Sequence, residues 1–158
     1  MIVTRDIKEL ADLYNPQYAV QVVKHDYTPK DKIKFLGKEQ FNYHRKNWSS
    51  VIIFNNAKCK ILTPEVVEQQ TGAYLHRFQW LDDNLVGTLP LEWNFLVDEY
   101  EKPKHLPALL HYTVGGPYFK DYQNCDYAHE WRQEFAYMNS TKEGEASVIE
   151  LFNQHKKS

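Results

Sequence analysis

A chain of 158 residues is long enough for one domain with a buried core and short for an enzyme of two domains. Its 19 Lys and Arg residues against 21 Asp and Glu give a formal charge of -2, which excludes a broad electrostatic attraction to nucleic acid or to an anionic membrane. Cys59 and Cys125 fit neither a metal motif nor a disulfide framework, and no window approaches the roughly 18 apolar residues of a membrane span, so we expect a cytoplasmic chain that contacts a membrane at most peripherally.

The first third of the chain predicts a helix, two strands and a long polar connection. Asp6 is a good N-terminal cap for a helix over residues 7–14, where apolar residues recur at helical spacing. The apolar runs at 18–23 and 50–54 predict buried strands. The polar segment 24–46 between them predicts either a functional loop or disorder.

The rest of the chain predicts further helices and strands. Thr63 and Pro64 are typical of a helix start, and Gly72 indicates the end of that helix. We then predict, in chain order, a turn and short strand within 89–97, a strand over 108–113, a helix over 127–138 and a last helix over 146–153. The order predicts an α/β fold with a mixed sheet and flanking helices, in one domain over 1–138 followed by a polar tail over 139–158.

His111 and the glycines after it form the first candidate site. A histidine at a strand end can bind a divalent metal through neutral imidazole, and Gly115 and Gly116 would let backbone amides approach a diphosphate. The alternative is a half-buried histidine before a tight turn, which is the commoner case for a lone histidine without family context.

Asp82, Asp83 and Asn84 form the second candidate site. Carboxylates there could bind sugar hydroxyls or stabilise a developing oxocarbenium ion. Alternatively, Asp82 simply caps a short helix that begins at this point.

Lys24 and Trp48 are candidates for ligand contact. Lys24 directly follows a predicted strand, a position where α/β proteins place ligand-binding groups, and it could neutralise a phosphate or lie in a solvated loop. Trp48 could stack on a sugar ring or cover the edge of the core.

Taken in order, four segments resemble the C-terminal half of GT-A glycosyltransferases, in particular bacterial proteins of glycosyltransferase family 8. VTRDIKELADLY is similar to the helix that follows the DxD motif of that family, and NWSSVIIFNN resembles its N-x-G-V-x-x-x-N strand. WLDDNLVGTLPLEWNFL resembles the segment DQDxLN and LPxxWN, and HYTVGGPYF resembles HxxGxxKPW. The ordered set is much more specific than any one motif.

The resemblance implies a transferase that moves a sugar from a UDP-sugar-like donor to a hydroxyl acceptor with the help of Mn²⁺ or Mg²⁺. His111 would be a metal ligand, and Asp83, with Asp82, would act at the reacting carbon. Donor contacts would come from Gly115, Gly116, Lys24, Lys120 and Asn84. Acceptor contacts would come from Trp48, Trp93 and Tyr112.

Two departures from the family pattern change this expectation. Gly116 stands where the family has its diphosphate lysine, which leaves Lys120 or Lys24 for that charge. No Asp-x-Asp occurs in the sequence, and the resemblance places that motif just before Met1. We therefore expect an incomplete GT-A fold that is inactive alone or active only with a partner fragment. We also expect an exposed sheet edge, where the missing strands would pair, through which the chain aggregates, dimerises or binds a partner fragment. The alternative is a non-catalytic remnant that binds a carbohydrate or a protein.

Overall fold

The computed structural model describes residues 1–140 as a mixed α/β structure with short strands and few helices. The chain divides into two compact units, each made of separate stretches of sequence. Unit 1 contains Met1–Thr4, Pro29–Gln40 and the chain from Phe95 onward, and unit 2 contains Arg5–Thr28 and Phe41–Asn94. The predicted helix over 146–153 and most of the predicted tail lie outside the described residues.

Unit 2 is built on a mixed sheet of three strands. Its elements are α1 (Ile7–Ala11), β2 (Val20–Val22), β5 (Ile52–Phe54), α2 (Pro64–Gln69), α3 (Gly72–His76) and β6 (Val86–Thr88). β2 is the central strand, antiparallel to β5 and parallel to β6. Apolar side chains from β2, including Val20 and Val22, pack with Phe78 and Trp80 to form the core of the unit.

Unit 1 also contains a mixed three-stranded sheet. Its elements are β1 (Ile2–Val3), β3 (Ile33–Lys34), β4 (Lys38–Glu39), β7 (Phe95–Leu96), β8 (Leu109–His111) and α4 (Ala128–Met138). β8 is central, antiparallel to β1 and parallel to β7, and β3 pairs with β4 as a separate hairpin. Phe95, Leu110 and Tyr127 belong to the core of this unit.

Local capping explains where the helices of unit 2 begin. The Asp6 carboxylate accepts a hydrogen bond from the Lys8 amide at 2.9 Å, and the Thr63 hydroxyl accepts one from the Val66 amide at 3.3 Å. Both bonds satisfy backbone donors that have no partner within the helix. These two helix starts confirm the prediction, although α1 ends at Ala11 and not at residue 14.

Three predictions for individual elements need correction. Gly72 does not end a helical region, because Thr71 caps a second helix, α3, that begins at Gly72. The segment 24–46 contains the β3–β4 hairpin, which its polar composition does not indicate. β1 and β6 lie outside the ranges that the sequence predicts as strands, and Gly87 interrupts the apolar run at β6. The remaining strands lie within the predicted ranges, and α4 lies within 127–138.

The mixed α/β class is therefore confirmed, whereas the GT-A fold stays a prediction. The single domain over 1–138 also stays a prediction.

Candidate functional site

A pocket of about 810 Å³ lies in unit 2, where the chain leaves β2. Residues 24–28 form one part of its wall, and residues 42–46 with Trp48 form the other. A volume of this size suits a small ligand, since ligand pockets usually enclose roughly 300–1,000 Å³.

Hydrogen bonds join the two parts of this pocket wall. The Trp48 indole N–H donates to the His25 carbonyl at 2.8 Å, and the Asn47 side-chain amide donates to the Tyr27 hydroxyl at 2.6 Å. The Lys24 ammonium lies 5.8 Å from the centre of the Trp48 ring, within the range of a cation–π interaction. The structure thus brings together Lys24, which the sequence suggests as a donor contact, and Trp48, which it suggests as an acceptor contact.

Arg45 lines the same pocket and connects it to Asp83. Its guanidinium lies 5.4 Å from the Trp48 ring centre, donates to the Arg77 carbonyl at 2.8 Å and forms an ion pair with the Asp83 carboxylate. The side chain of Arg45 is 7% exposed, whereas that of Asp83 is 88% exposed. A buried and anchored guanidinium therefore holds an exposed carboxylate, so the preferred catalytic candidate has a defined position in unit 2.

The neighbours of Asp83 are also exposed. Asp82 occupies the cap position of the 3-10 turn Asp83–Leu85, but its side chain makes no capping hydrogen bond. Asn84 is exposed in the same turn. Neither residue has a structural role visible in the turn, so both are accessible to a ligand.

Asn94 joins two of the segments on which the resemblance rests. Its side chain is fully buried, and its amide donates to the Ser50 hydroxyl at 2.8 Å and to the Asn47 carbonyl at 3.2 Å. Asn94 is the third residue from the end of the segment WLDDNLVGTLPLEWNFL, and Asn47 is the first residue of the segment NWSSVIIFNN. Residues 44 and 47 positions apart in sequence are therefore in contact in unit 2.

Two of the three acceptor candidates are core residues. Trp93 is 1% exposed, and the Arg5 guanidinium lies 5.3 Å from the centre of its ring. Tyr112 is 8% exposed and donates its hydroxyl to the Tyr127 carbonyl at 2.7 Å, and burial raises its pKa. Their burial does not favour sugar stacking, so Trp48 is the acceptor candidate that the geometry supports.

His111 lies at the end of β8 in unit 1 and is partly buried. Burial, together with the positive charge of the N-terminal amino group, lowers the pKa of His111 to about 4. The imidazole is therefore neutral at neutral pH, which is the state that binds metal ions. Between residues 1 and 140, no group of three or more His, Cys, Asp or Glu side chains is placed to hold a metal. Hard cations prefer several oxygen ligands, and binding of Mn²⁺ or Mg²⁺ stays a prediction.

The two glycines after His111 allow close packing of tyrosine rings. A Cβ added to Gly115 would lie 2.4 Å from Cδ2 of Tyr122, and one added to Gly116 would lie 2.3 Å from Cε1 of Tyr118. Glycine is needed at both positions for this reason, whether or not a diphosphate also approaches. Lys120, the alternative charge for a diphosphate, is exposed in the following 3-10 turn.

Arg45 is the site residue that the sequence did not single out. His44, Arg45 and Lys46 form a basic cluster too short to predict nucleic-acid binding. Nothing local indicates that one of these three residues is buried or that it reaches a carboxylate 38 positions away. The positive φ of 60° at Arg45, like the 62° at Asn47, also cannot be read from residue type.

These features define a mixed α/β protein with a cationic, aromatic-lined pocket. The chain is 47% identical over 147 residues to Protein CDI of Arabidopsis thaliana. The match covers 89% of this chain and 57% of the relative, so the chain spans little more than half the length of that protein. No family model and no solved structure matches the chain.

Within residues 1–140, no helix has the length and apolar character needed to cross a membrane. The cytoplasmic location stays a prediction.

Proposed function

We propose that the chain is part of a glycosyltransferase that moves a sugar from a nucleotide-diphosphate donor to a hydroxyl acceptor, built on part of a GT-A fold. In the reaction, the bond between the anomeric carbon and the diphosphate oxygen breaks. A bond from that carbon to the acceptor oxygen forms, and the acceptor hydroxyl loses its proton. Because the chain covers 57% of its relative, the activity belongs to the whole protein and not to this chain alone.

The observation that carries the proposal is the convergence of the second and third matching segments in unit 2. Asn94 donates hydrogen bonds to Asn47 and Ser50, and Arg45 pairs with Asp83. Residues taken from two separate motifs, Asn94 from one and Asn47 and Ser50 from the other, therefore meet in unit 2. Chance similarity of isolated motifs gives no reason for such a meeting.

Asp83 is the residue we place at the reacting carbon. Its carboxylate is exposed but held by Arg45, so it can accept hydrogen bonds from donor hydroxyls or stabilise positive charge on the sugar without a large reorganisation. Lys24 lines the pocket whose wall contains Arg45, the partner of Asp83, and it adds a positive charge for an anionic group.

Mn²⁺ or Mg²⁺, when bound, would neutralise charge on the leaving diphosphate. His111, neutral at neutral pH, is the ligand that this chain would contribute. Further oxygen ligands would have to come from outside the described residues, since these contain no group of three donors.

The test measures hydrolysis and transfer of UDP-sugars by the product of the complete reading frame, with and without Mn²⁺. We expect Asp83→Asn to lower kcat about 100-fold, because a charge aligned with the transition state is lost. His111→Ala should lower activity and raise the Mn²⁺ concentration needed for half-maximal activity. Asp12→Asn is the matched control, because Asp12 is exposed and pairs only locally with Lys8. Full activity in Asp83→Asn and His111→Ala would contradict the assigned roles.

A second candidate function is a non-catalytic module that binds a carbohydrate or a protein. The lack of a multidentate metal group within residues 1–140 favours it. Absence of turnover with every nucleotide sugar tested, together with retained ligand binding, would support this second function.

A further inference from the structure

The pocket of unit 2 carries more positive than negative charge. Lys24, Arg45 and Lys46 line it, and Asp26 is the one acidic residue among the lining residues described. Two histidines, His25 and His44, contribute further polar groups to the wall. A concave surface with an excess of cationic side chains attracts anions.

Two of the three cations are fixed in the pocket wall by neutral carbonyls. Lys46 is 8% exposed, donates from Nζ to the Phe41 carbonyl at 2.8 Å and lies 4.8 Å from the Tyr43 ring centre. Arg45, also 8% exposed, is anchored by the Arg77 carbonyl, and its Nε has no hydrogen-bond partner among the described residues. The ion pair with Asp83, which does not line the pocket, offsets much of the Arg45 charge, so Lys24 and Lys46 supply the remaining positive charge of the wall.

The third cation is at the mouth of the pocket and is free to engage a ligand. Lys24 is exposed and is held beside Trp48 by the cation–π contact at 5.8 Å. The neighbouring wall is aromatic and bears hydroxyl and amide groups, from Tyr27, Tyr43 and Asn42. Aromatic faces with hydrogen-bonding groups beside them suit a sugar, which has apolar C–H faces and a rim of hydroxyls.

We propose that this pocket binds the acceptor and that the acceptor is an anionic sugar, carrying a phosphate or a carboxylate. The inference rests on the proposed transferase function, because only a transferase has an acceptor. Arg45 connects the pocket to Asp83, which we place at the reacting carbon. It reassigns Lys24 from the donor to the anionic group of the acceptor. The anion binds between Lys24 and the fixed cations, and the ring lies along the aromatic wall.

The test titrates the 158-residue chain at low ionic strength with glucose 6-phosphate, glucuronate, glucose and inorganic phosphate, followed by calorimetry. We expect at least one of the two charged sugars to bind at least about tenfold more tightly than glucose, because charge-assisted hydrogen bonds are added. The more tightly bound of the two identifies the anionic group as a phosphate or a carboxylate. Raising the salt to 1 M should weaken binding of the charged sugars and leave glucose unchanged.

Lys24→Ala should weaken binding of the charged sugar about fivefold or more and weaken glucose binding by a smaller factor. The variant is expected to fold because Lys24 is exposed, and Lys24→Gln gives a second, less severe test. Lys60→Ala is the matched control, an exposed lysine of unit 2 that does not line the pocket. Circular dichroism and thermal unfolding verify that all three variants are folded.

Equal binding of glucose and both charged sugars would overturn the inference, as would no binding of any ligand at millimolar concentration. Inorganic phosphate binding as tightly as glucose 6-phosphate would overturn the assignment of a sugar. Transfer by the complete protein to neutral acceptors alone would overturn the anionic acceptor and leave the transferase function standing. Binding of an anionic sugar by a protein without transferase activity would instead overturn the proposed function.

Discussion

Arg45 illustrates how a single buried charge can organise a site. Removing a guanidinium from water is costly, and the cost is offset here by the Arg77 carbonyl, the ring of Trp48 and the Asp83 carboxylate. The partner Asp83 stays in water, so its charge is not buried with that of Arg45. This asymmetry lets Arg45 stabilise unit 2 while it holds an exposed carboxylate at the surface.

We predict that Arg45→Ala lowers the free energy of unfolding by about 2–3 kcal/mol. The carbonyl of Arg77 loses its donor, and the space filled by the side chain is left empty. Urea denaturation of the 158-residue chain measures the change. Arg5→Ala is the comparison, since Arg5 pairs with Glu9 and Glu92 with its side chain 37% exposed, and exposed pairs contribute less than about 1 kcal/mol. An equal loss of unfolding free energy in the two variants would show that burial of Arg45 is not the cause of the loss.

At the scale of elements, the turn after β8 depends on glycine for packing. The Tyr122 ring lies where the Cβ of any other residue at position 115 would be, with Cδ2, Cε2 and Cγ all within 2.7 Å of that point. Cγ is close to the tyrosine backbone, so the ring cannot move aside by a simple rotation of its far end. The same segment carries His111, and the packing of the turn therefore fixes how the chain leaves the candidate metal ligand.

We predict that Gly115→Ala destabilises the protein by about 1–3 kcal/mol, the usual cost of overpacking. In a Tyr122→Ala background the same substitution should cost much less, because the ring that it meets is gone. Gly72→Ala is the control, since an added Cβ there meets no atom within 4 Å and Gly72 lies in α3. Thermal unfolding of the four variants gives the comparison. An unchanged cost in the Tyr122→Ala background would disprove the steric explanation.

Elements with strong local signals could be predicted from sequence, and those created by pairing could not. Asp6 and Thr63 predict helix starts because each forms its capping hydrogen bond with an amide no more than three residues further along the chain. β6 has no such signal, because it is three residues long and contains Gly87 in its middle. That glycine is explained by the Tyr18 ring, 2.4 Å from where a Cβ would be, and this contact exists only after β6 has paired with β2.

At the scale of the whole molecule, the order of the matching segments could be read from the sequence, but their assembly into two units could not. The sequence placed Lys24, Trp48 and Asp83 among the site residues, and the structure brings them to one side of unit 2 through Arg45. It did not indicate that the chain passes between two units four times, because each unit combines stretches separated by dozens of residues. Local sequence patterns do not indicate such long-range pairing. The role of His111 as a metal ligand and the binding of a metal at the candidate site stay predictions.

The pH dependence of unfolding is a property of the whole chain, and Asp98 in unit 1 provides a test of it. Burial raises the pKa of Asp98, the amide hydrogen bond from Asp126 opposes the shift, and the carboxylates of Asp126 and Asp31 raise the pKa while Lys30 lowers it. The folded state therefore holds a proton more tightly than the unfolded state. Stability from this group is present below the ordinary pKa of an aspartate and is lost as the pH rises through the higher folded value.

We predict that Asp98→Asn raises the free energy of unfolding at pH 7 by on the order of 1 kcal/mol. Asparagine removes the partly buried charge, keeps an oxygen that can accept the hydrogen bond from the Asp126 amide, and tolerates the positive φ of 66° at this position. The gain should disappear as the pH falls below the ordinary range of an aspartate, where Asp98 is protonated in both states. Asp12→Asn, at an exposed position in unit 2, is the matched control for loss of one negative charge. Urea denaturation at a series of pH values measures both variants, and a gain that persists at low pH would show that burial of the charge is not its cause.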